Sequence, residues 1–284
     1  MKVKTFYDAT TSTFTYVVID ESTKKCAIID PVLDYEPFSG RSSTKSADKI
    51  LEFIENNNFD NEWILETHVH ADHITAAHYL KTKVGGKIGI GSGIKAVLDT
   101  WLPMFEMCND APSDGSQYNV LFEEGNTFKL GELTFSVWHT PGHTPACVSY
   151  LVEKSIFVGD TMFAPHLGTA RCDFPGGSAK DLYNTIQRFF TLPNDTKVYF
   201  GHDYPQPGAL PLSSVSIGQA KSENIQISPN TTMQEYIFKR EKRDRSLAVP
   251  KLLLPAIQCN LRNGQFLLSE KTKMPFIKIP VNLI

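Results

Sequence analysis

The sequence predicts an α+β fold: two mixed sheets packed face to face, helices on their outer faces, and a C-terminal extension. Three observations carry this expectation. Runs of β-branched and apolar residues come in pairs separated by short polar stretches, the pattern of hairpins. Helical spacing follows those strands in two rounds. Strict βαβ alternation, the mark of an all-parallel sheet, is absent.

Thr13 to Ile19 and Cys26 to Ile29, separated by polar residues 20–25, read as an antiparallel hairpin that ends at Asp30-Pro31. The polar stretch from Asp34 to Ser46 reads as a loop, and Ser46 as the N-cap of a helix with Ile50, Leu51, Phe53 and Ile54 on its apolar side. Trp63 to Leu65 is a short buried strand. A helix carrying Ile74, Ala77 and Leu80 follows until Gly85-Gly86 stops it. Lys87 to Gly91 reads as a strand and Ile94 to Phe105 as a helix broken at Pro103, while nothing is assigned between Asn109 and Asn119.

Phe122 to Leu130 and Leu133 to Trp138 form a second expected hairpin, Cys147 to Val152 and Ser155 to Val158 a third. Ser178 caps a helix with Leu182, Ile186 and Phe189 on one face, and Val198 to Phe200 makes a last strand. Gln234 to Ala248 reads as a charged surface helix. Pro250 to Ile284 reads as an extended tail anchored by Leu252, Leu254 and Ile257. The expected organisation is a catalytic domain over residues 1–210, with residues 211–284 packed on it.

Bulk properties narrow the partners. A hydrophobic content of 41% with 21% charged residues is that of an ordered globular chain. The net charge of -3 and the lack of a basic block speak against nucleic acid and anionic membranes. No apolar run approaches a membrane span, and Met1 to Phe6 lacks the apolar core of a signal peptide. The five cysteines are widely spaced and form no CxxC pair, which fits a reducing cytosol. The expected partner is a small molecule in the cytoplasm, and a homo-oligomer stays open.

The histidines carry the chemistry. Four of the eight fall between His68 and His78, in a segment reading His68-Val69-His70-Ala71-Asp72-His73 directly after a strand. His143, Asp160 and His202 each follow another strand. His78 and His166 read as ordinary core or surface residues. The cluster does not, because each buried imidazole or carboxylate would need its own partner. A metal centre assembled from strand ends accounts for all of them. With imidazole and carboxylate donors and no thiolate, the site reads as a catalytic zinc or iron centre.

HVHADH, the TPGHT loop, GDT and the late GHDY resemble the metallo-β-lactamase superfamily over Phe6 to about Pro207. That resemblance implies an αββα sandwich with metals at one edge of its sheets. Two branches compete, glyoxalase II type thioester hydrolases and the persulfide (sulfur) dioxygenases. Residues 168–177, GTARCDFPGG, are similar to the arginine-plus-aspartate loop of the dioxygenases, and Cys172 matches the bacterial β-lactamase-like hydrolase subgroup grouped with them. Ile29-Asp30-Pro31-Val32 fits as well.

By this resemblance His68, His143 and Asp160 would hold one Fe(II), while His70, Asp72, His73 and His202 would either hydrogen-bond around it or hold a second metal. In the latter case the cofactor would be two Zn(II) or a mixed Fe/Zn pair. Arg171 would meet a substrate carboxylate or form an ion pair with Asp173. Cys172 would relay sulfur or fill space, and Tyr204 would orient oxygen or substrate, or pack. The implied activity is oxidation of glutathione persulfide or a similar small persulfide by O2 to sulfite and thiol, in sulfide detoxification. The alternative is a glyoxalase II-like dinuclear hydrolase of glutathione thioesters. The segments Asp34 to Ser46, Asp99 to Tyr118 and the tail past Pro250 exceed the compact dioxygenase pattern, and no match to the helical glutathione-binding domain of glyoxalase II is present.

Overall fold

The computed structural model describes residues 1–206 and 208–282, so Pro207 and the last two residues of the expected tail lie outside the described residues. The chain opens with β1 (Lys2–Asp8), β2 (Thr13–Asp20) and β3 (Lys25–Ile29), then β4 (Val32–Glu36), β5 (Arg41–Ser43) and α1 (Lys45–Asn56). After β6 (Asp60–Leu65) the histidine segment leads to β7 (Ile74–Thr75) and α2 (Ala77–Val84). Then come β8 (Lys87–Gly91), α3 (Ile94–Met104) and β9 (Val120–Phe122). The second half holds β10 (Thr127–Leu130), β11 (Leu133–His139), β12 (Val148–Val152), β13 (Ser155–Phe157), α4 (Ala179–Phe189), β14 (Lys197–Tyr199) and β15 (Ser214–Ser216). Helices α5 (Ile217–Glu223), α6 (Met233–Asp244) and α7 (Leu253–Asn260) follow.

Strands pair in the order β1-β2-β3-β6-β8-β9 in one sheet and β10-β11-β12-β13-β14-β15 in the other. Both are mixed: the first is parallel from β3 to β9, and in the second β13 runs parallel to β14. Side chains alternate between the faces of a strand, so a strand buried on both faces feeds two cores. In β2, Phe14, Tyr16 and Val18 point between the sheets, while Val17 and Ile19 point outward toward α1, α2, α3 and α7. In β13 and β14, Phe157 and Tyr199 face inward, whereas Ile156 and Val198 join the outer core under α4 and α6. Four layers result, helix, sheet, sheet and helix, as the sequence predicts.

Several elements depart from expectation. Residues 34–46 are not a plain loop, since β4 and β5 pair there as a hairpin and α1 starts at Lys45. Ser46 is not the N-cap. Its backbone N–H and hydroxyl both donate to Asp34, which fastens the hairpin to the helix. The run from Phe122 to Leu130 splits at a turn, and β9 belongs to the first sheet while β10 starts the second. The helix after the histidines begins at Ala77 because Ile74 and Thr75 pair with β4. Strands β1 and β15 and helix α5 carry patterns too short or too polar to read.

Beyond residue 210 the differences are larger. Helix α6 opens with a capping box, Thr232 with Glu235, but buries Tyr236, Arg240 and Asp244 on one face. Arg240 and Asp244 are there as an internal ion pair, and Arg240 also donates to the carbonyl of Thr169. The expected extended tail contains α7, whose Leu253, Ala256, Ile257 and Cys259 are buried in the outer core of the first sheet. Proline at its third position is tolerated because first-turn N–H groups have no intrahelical partner.

The layer between the sheets should dominate stability. Phe135→Ala removes a fully buried ring there and should cost about 3–5 kcal/mol. Urea unfolding with an unchanged m-value checks this, and a loss under about 1 kcal/mol would contradict the packing described.

Candidate metal centre

Strands β6, β11, β13 and β14 deliver their C-terminal ends to one edge of the sandwich. Two glycines let these ends meet. At Gly159 (φ +50°) a Cβ would lie 2.3 Å from the hydroxyl of Thr67, and at Gly201 one would lie 2.4 Å from Oδ1 of Asp160. Any side chain at either position would push strand ends apart. The amide of Gly201 donates to Gly159 and that of Phe14 to Gly201, which ties the two sheets together beside the site.

His68, His143 and Asp160 form the first donor set. Oδ2 of Asp160 stands 4.0 Å from Nε2 of His68 and 3.8 Å from Nε2 of His143. These gaps are too long for hydrogen bonds, yet two bonds of about 2.1 Å to a shared ion span up to about 4.2 Å. Neighbours fix both tautomers. Nδ1 of His143 donates to the carbonyl of Arg171 at 2.8 Å. Thr67 spends its hydroxyl proton on Asp30, so its oxygen accepts from Nδ1 of His68 at 3.0 Å. Each Nε2 therefore keeps a lone pair. Burial, with His70 and His143 nearby, holds His68 well below the usual imidazole range, so it is neutral and able to ligate.

Asp72, His73 and His202 form a second group around Asp160. Nε2 of His202 lies 3.1 Å from Oδ2 of Asp72 and 3.3 Å from Oδ1 of Asp160, in neither case aligned as a hydrogen bond. Nε2 of His73 is also buried without a partner. Nδ1 of His202 donates to the carbonyl of Ser12. Burial opposes a charge on His202, but Asp160 and Asp72 outweigh it and raise its pKa. Burial also opposes a charge on Asp72, yet His202 and His73 hold it well below the carboxylate range. A cation in this space would satisfy the same carboxylates as a proton does.

His70 is held differently. Its Nε2 sits between Asp30 at 3.1 Å and Glu66 at 3.2 Å, leaving Nδ1 buried without a partner. Burial works against the imidazolium, but the two carboxylates prevail and raise its pKa well above normal, while burial raises that of Glu66. Unpaired buried donor atoms on His68, His70, Asp72, His73, Asp160 and His202 are costly unless something binds them. The residues present therefore fit a metal.

A cavity of about 1010 Å³ opens over this edge, with Asp72, His143 and Asp160 on its wall. Tyr204 also lines it, half exposed and stacked on His202 with the rings 9° from parallel. Arg171 reaches the cavity but grips Asp173 with Nε and Nη2, at 2.6 and 2.7 Å, and donates to the carbonyl of Ala248. Two of its five N–H groups remain for a ligand. Cys172 does not line the cavity: it is buried in the outer core beneath α4 and α6. Arg41, Lys45, Arg243 and Lys251 also line the cavity, and no carboxylate pairs with any of them among the described residues.

Sequence reasoning missed Glu66 and Asn260, and cited Asp30 without a role. Glu66 abuts the histidine segment, and an acid beside a ligand motif is a readable signal for a group that orients imidazole. Asn260 has none, because its partners lie 187 and 190 residues away.

Comparison with known proteins places these residues in context. The family model for the metallo-beta-lactamase superfamily matches residues 10–202. A Dictyostelium discoideum protein named glyoxylase B2 is 45% identical over 100% of this chain and 98% of its own length. The human mitochondrial persulfide dioxygenase ETHE1 is 26% identical over 92% of this chain and 88% of its own. The crystal structure of ETHE1 from Myxococcus xanthus aligns with a TM-score of 0.75 and 31% identity, covering 93% of this chain and 100% of the other. Among the described residues, no helix is long and apolar enough to cross a membrane.

The thiols offer a direct check on Cys172. Burial pushes Cys26, Cys147 and Cys259 up to about 12 and Cys172 higher still, whereas Cys108 is exposed. A chromogenic disulfide reagent should titrate one thiol in the native protein and five after denaturation. A second fast native thiol that disappears in Cys172→Ala would instead mark Cys172 as reactive.

Proposed function

Since the chain belongs to the metallo-beta-lactamase superfamily, we propose that it is an iron-dependent dioxygenase of a small persulfide, glutathione persulfide by preference. The observation that carries this is the two-histidine, one-carboxylate set of His68, His143 and Asp160, two of whose members face a large cavity. The likeness to Myxococcus ETHE1 along its whole length supports it, as does the Arg171–Asp173 loop. The reaction balances as R–S–SH, O2 and H2O giving R–SH and sulfurous acid. The S–S bond breaks and four electrons pass from sulfur to oxygen. One iron(II) held by the three residues would supply the redox couple that zinc lacks.

The chain's own groups then have definite work. The Arg171 carbonyl and the Thr67 hydroxyl keep the His143 and His68 rings turned so that Nε2 faces the cavity edge. The Asp173 fork holds Arg171 in the wall, where its two remaining N–H groups are available to a substrate carboxylate. Arg41, Lys45, Arg243 and Lys251 draw an anionic carrier toward the mouth. Tyr204, stacked on His202, lends a hydroxyl to the wall. We divide the chain at residue 210 into a catalytic domain and a following segment, a division that β15 bridges by pairing with β14 and α7 by burying its apolar side in the first sheet's outer core.

A second reading is favoured by specific observations: the unpaired atoms of Asp72, His73 and His202, and the 45% identity to glyoxylase B2. In it these residues join Asp160 around a second ion, and two zincs or an iron and zinc pair would supply Lewis-acid chemistry for hydrolysis of a glutathione thioester.

Oxygen uptake by iron-loaded protein given glutathione persulfide tests the first reading. No uptake above that of His143→Ala would overturn it. Asp72→Ala separates the two: it should lower oxygen uptake by no more than about 10-fold and leave one iron per chain under the first reading. Under the second it removes one of two metals together with thioester turnover.

A further inference from the structure

Segment 70–75 carries three of the unpaired donor atoms, Nδ1 of His70, Oδ2 of Asp72 and Nε2 of His73, but between residues 66 and 73 it has no regular secondary structure to hold it. Its backbone groups need partners from elsewhere. Three of them find theirs on one side chain. Nδ2 of Asn260, at the end of α7, donates to the carbonyls of His70 at 2.9 Å and His73 at 2.8 Å. Oδ1 of the same amide accepts from the N–H of Thr75 at 2.8 Å. Asn260 is buried, and its own carbonyl accepts from the hydroxyl of Tyr118.

The surrounding chain repeats the theme. The amide of His78 donates to the carbonyl of Asn263, and a Cβ at Gly264 (φ +87°) would lie 2.0 Å from the carbonyl of Thr75. The turn after α7 thus wraps residues 70–78.

We propose that Asn260 is a positioning residue: from the far end of the chain it sets the placement of the unpaired polar atoms that residues 70–73 present to the metal edge. The amide is the side chain whose valence fits, two donors for two carbonyls and one acceptor for one N–H. A carboxylate of the same shape keeps the bond from Thr75 but turns an oxygen on both carbonyls. The inference rests on residues 70–73 supporting the metal edge, as ligands in the second reading or as groups packed against the single ion in the first, and not on whether the reaction is oxygenation or hydrolysis.

Zinc serves as the probe, with affinity measured by competition against a chromophoric chelator at a temperature where every variant is folded. Asn260→Asp should bind zinc about 10–100-fold more weakly than wild type, and amides 70–75 should exchange faster with deuterium. Leu261→Ala, which cuts into the same outer core but keeps the amide of Asn260, should lower the melting temperature and leave zinc affinity within about threefold of wild type. Equal zinc affinity in Asn260→Asp and wild type, or an equal loss in Leu261→Ala, overturns the proposal. Should Asn260→Asp not fold, wild type alone decides, because linkage is reciprocal: zinc must slow exchange at residues 257–261, and unchanged exchange there overturns it. Because zinc supports no oxygen uptake, these results stand apart from the fate of the dioxygenase reading.

Discussion

The carboxylate of Asp30 is the constraint around which the metal edge is built. It is buried at the end of β3, where φ of +50° turns the chain out of the sheet. A buried carboxylate is tolerable only when donors surround it, and three do. The N–H and hydroxyl of Thr67 donate at 2.8 Å each, and Nε2 of His70 lies at 3.1 Å. All three come from the segment after β6. Satisfying one charge therefore docks the histidine segment onto the neighbouring strand, and the parallel pairing of β3 with β6 brings the two ends level.

From this charge the proton positions propagate. Thr67 gives its proton to Asp30 and must then accept from His68, which turns the lone pair of His68 toward Asp160. On the other sheet a backbone carbonyl, that of Arg171, does the same for His143. The Nε2 atoms of both rings are thus aimed at Asp160 by hydrogen bonds that do not involve the site's contents. His70 differs because its Nε2 faces two carboxylates, which explains why one motif presents two electrostatic characters within three residues.

How much of this was legible follows from the range of the signals. Strands buried on both faces, such as Thr13 to Ile19, announce themselves by composition, and histidines directly after such strands announce an edge site. The set His68, His143 and Asp160 could be named only through the family resemblance that the short motifs around them carry. What stayed hidden depends on contacts distant in sequence. Residues 34–46 look like a polar loop because β4 and β5 form an exposed hairpin, with Tyr35 and Glu36 pairing across to Ser42 and Arg41. Helix α7 follows Pro250, a breaker, and is short, so Leu252 and Ile257 looked like isolated anchors rather than one buried face. Its role becomes visible only when Asn260 meets residues 70–75.

The segments hardest to read also enclose the cavity, and they are not independent of the metal edge. Hairpin β4–β5 brings Arg41 to the mouth, and the same β4 pairs with Ile74 and Thr75 just after the histidines. The last turn of α6 brings Arg243 and the chain after it Lys251, and the carbonyl of Ala248 in that chain accepts from Arg171, whose own carbonyl orients His143. Each wall is thus one residue or one strand pair removed from a donor atom. A ligand that shifts either wall acts on the donor set through backbone, not through solvent. Loops on a rigid sandwich are free to vary in ordinary cases; here, changes at the mouth that alter the pairing of β4 or the path of residue 248 should alter the metal edge as well.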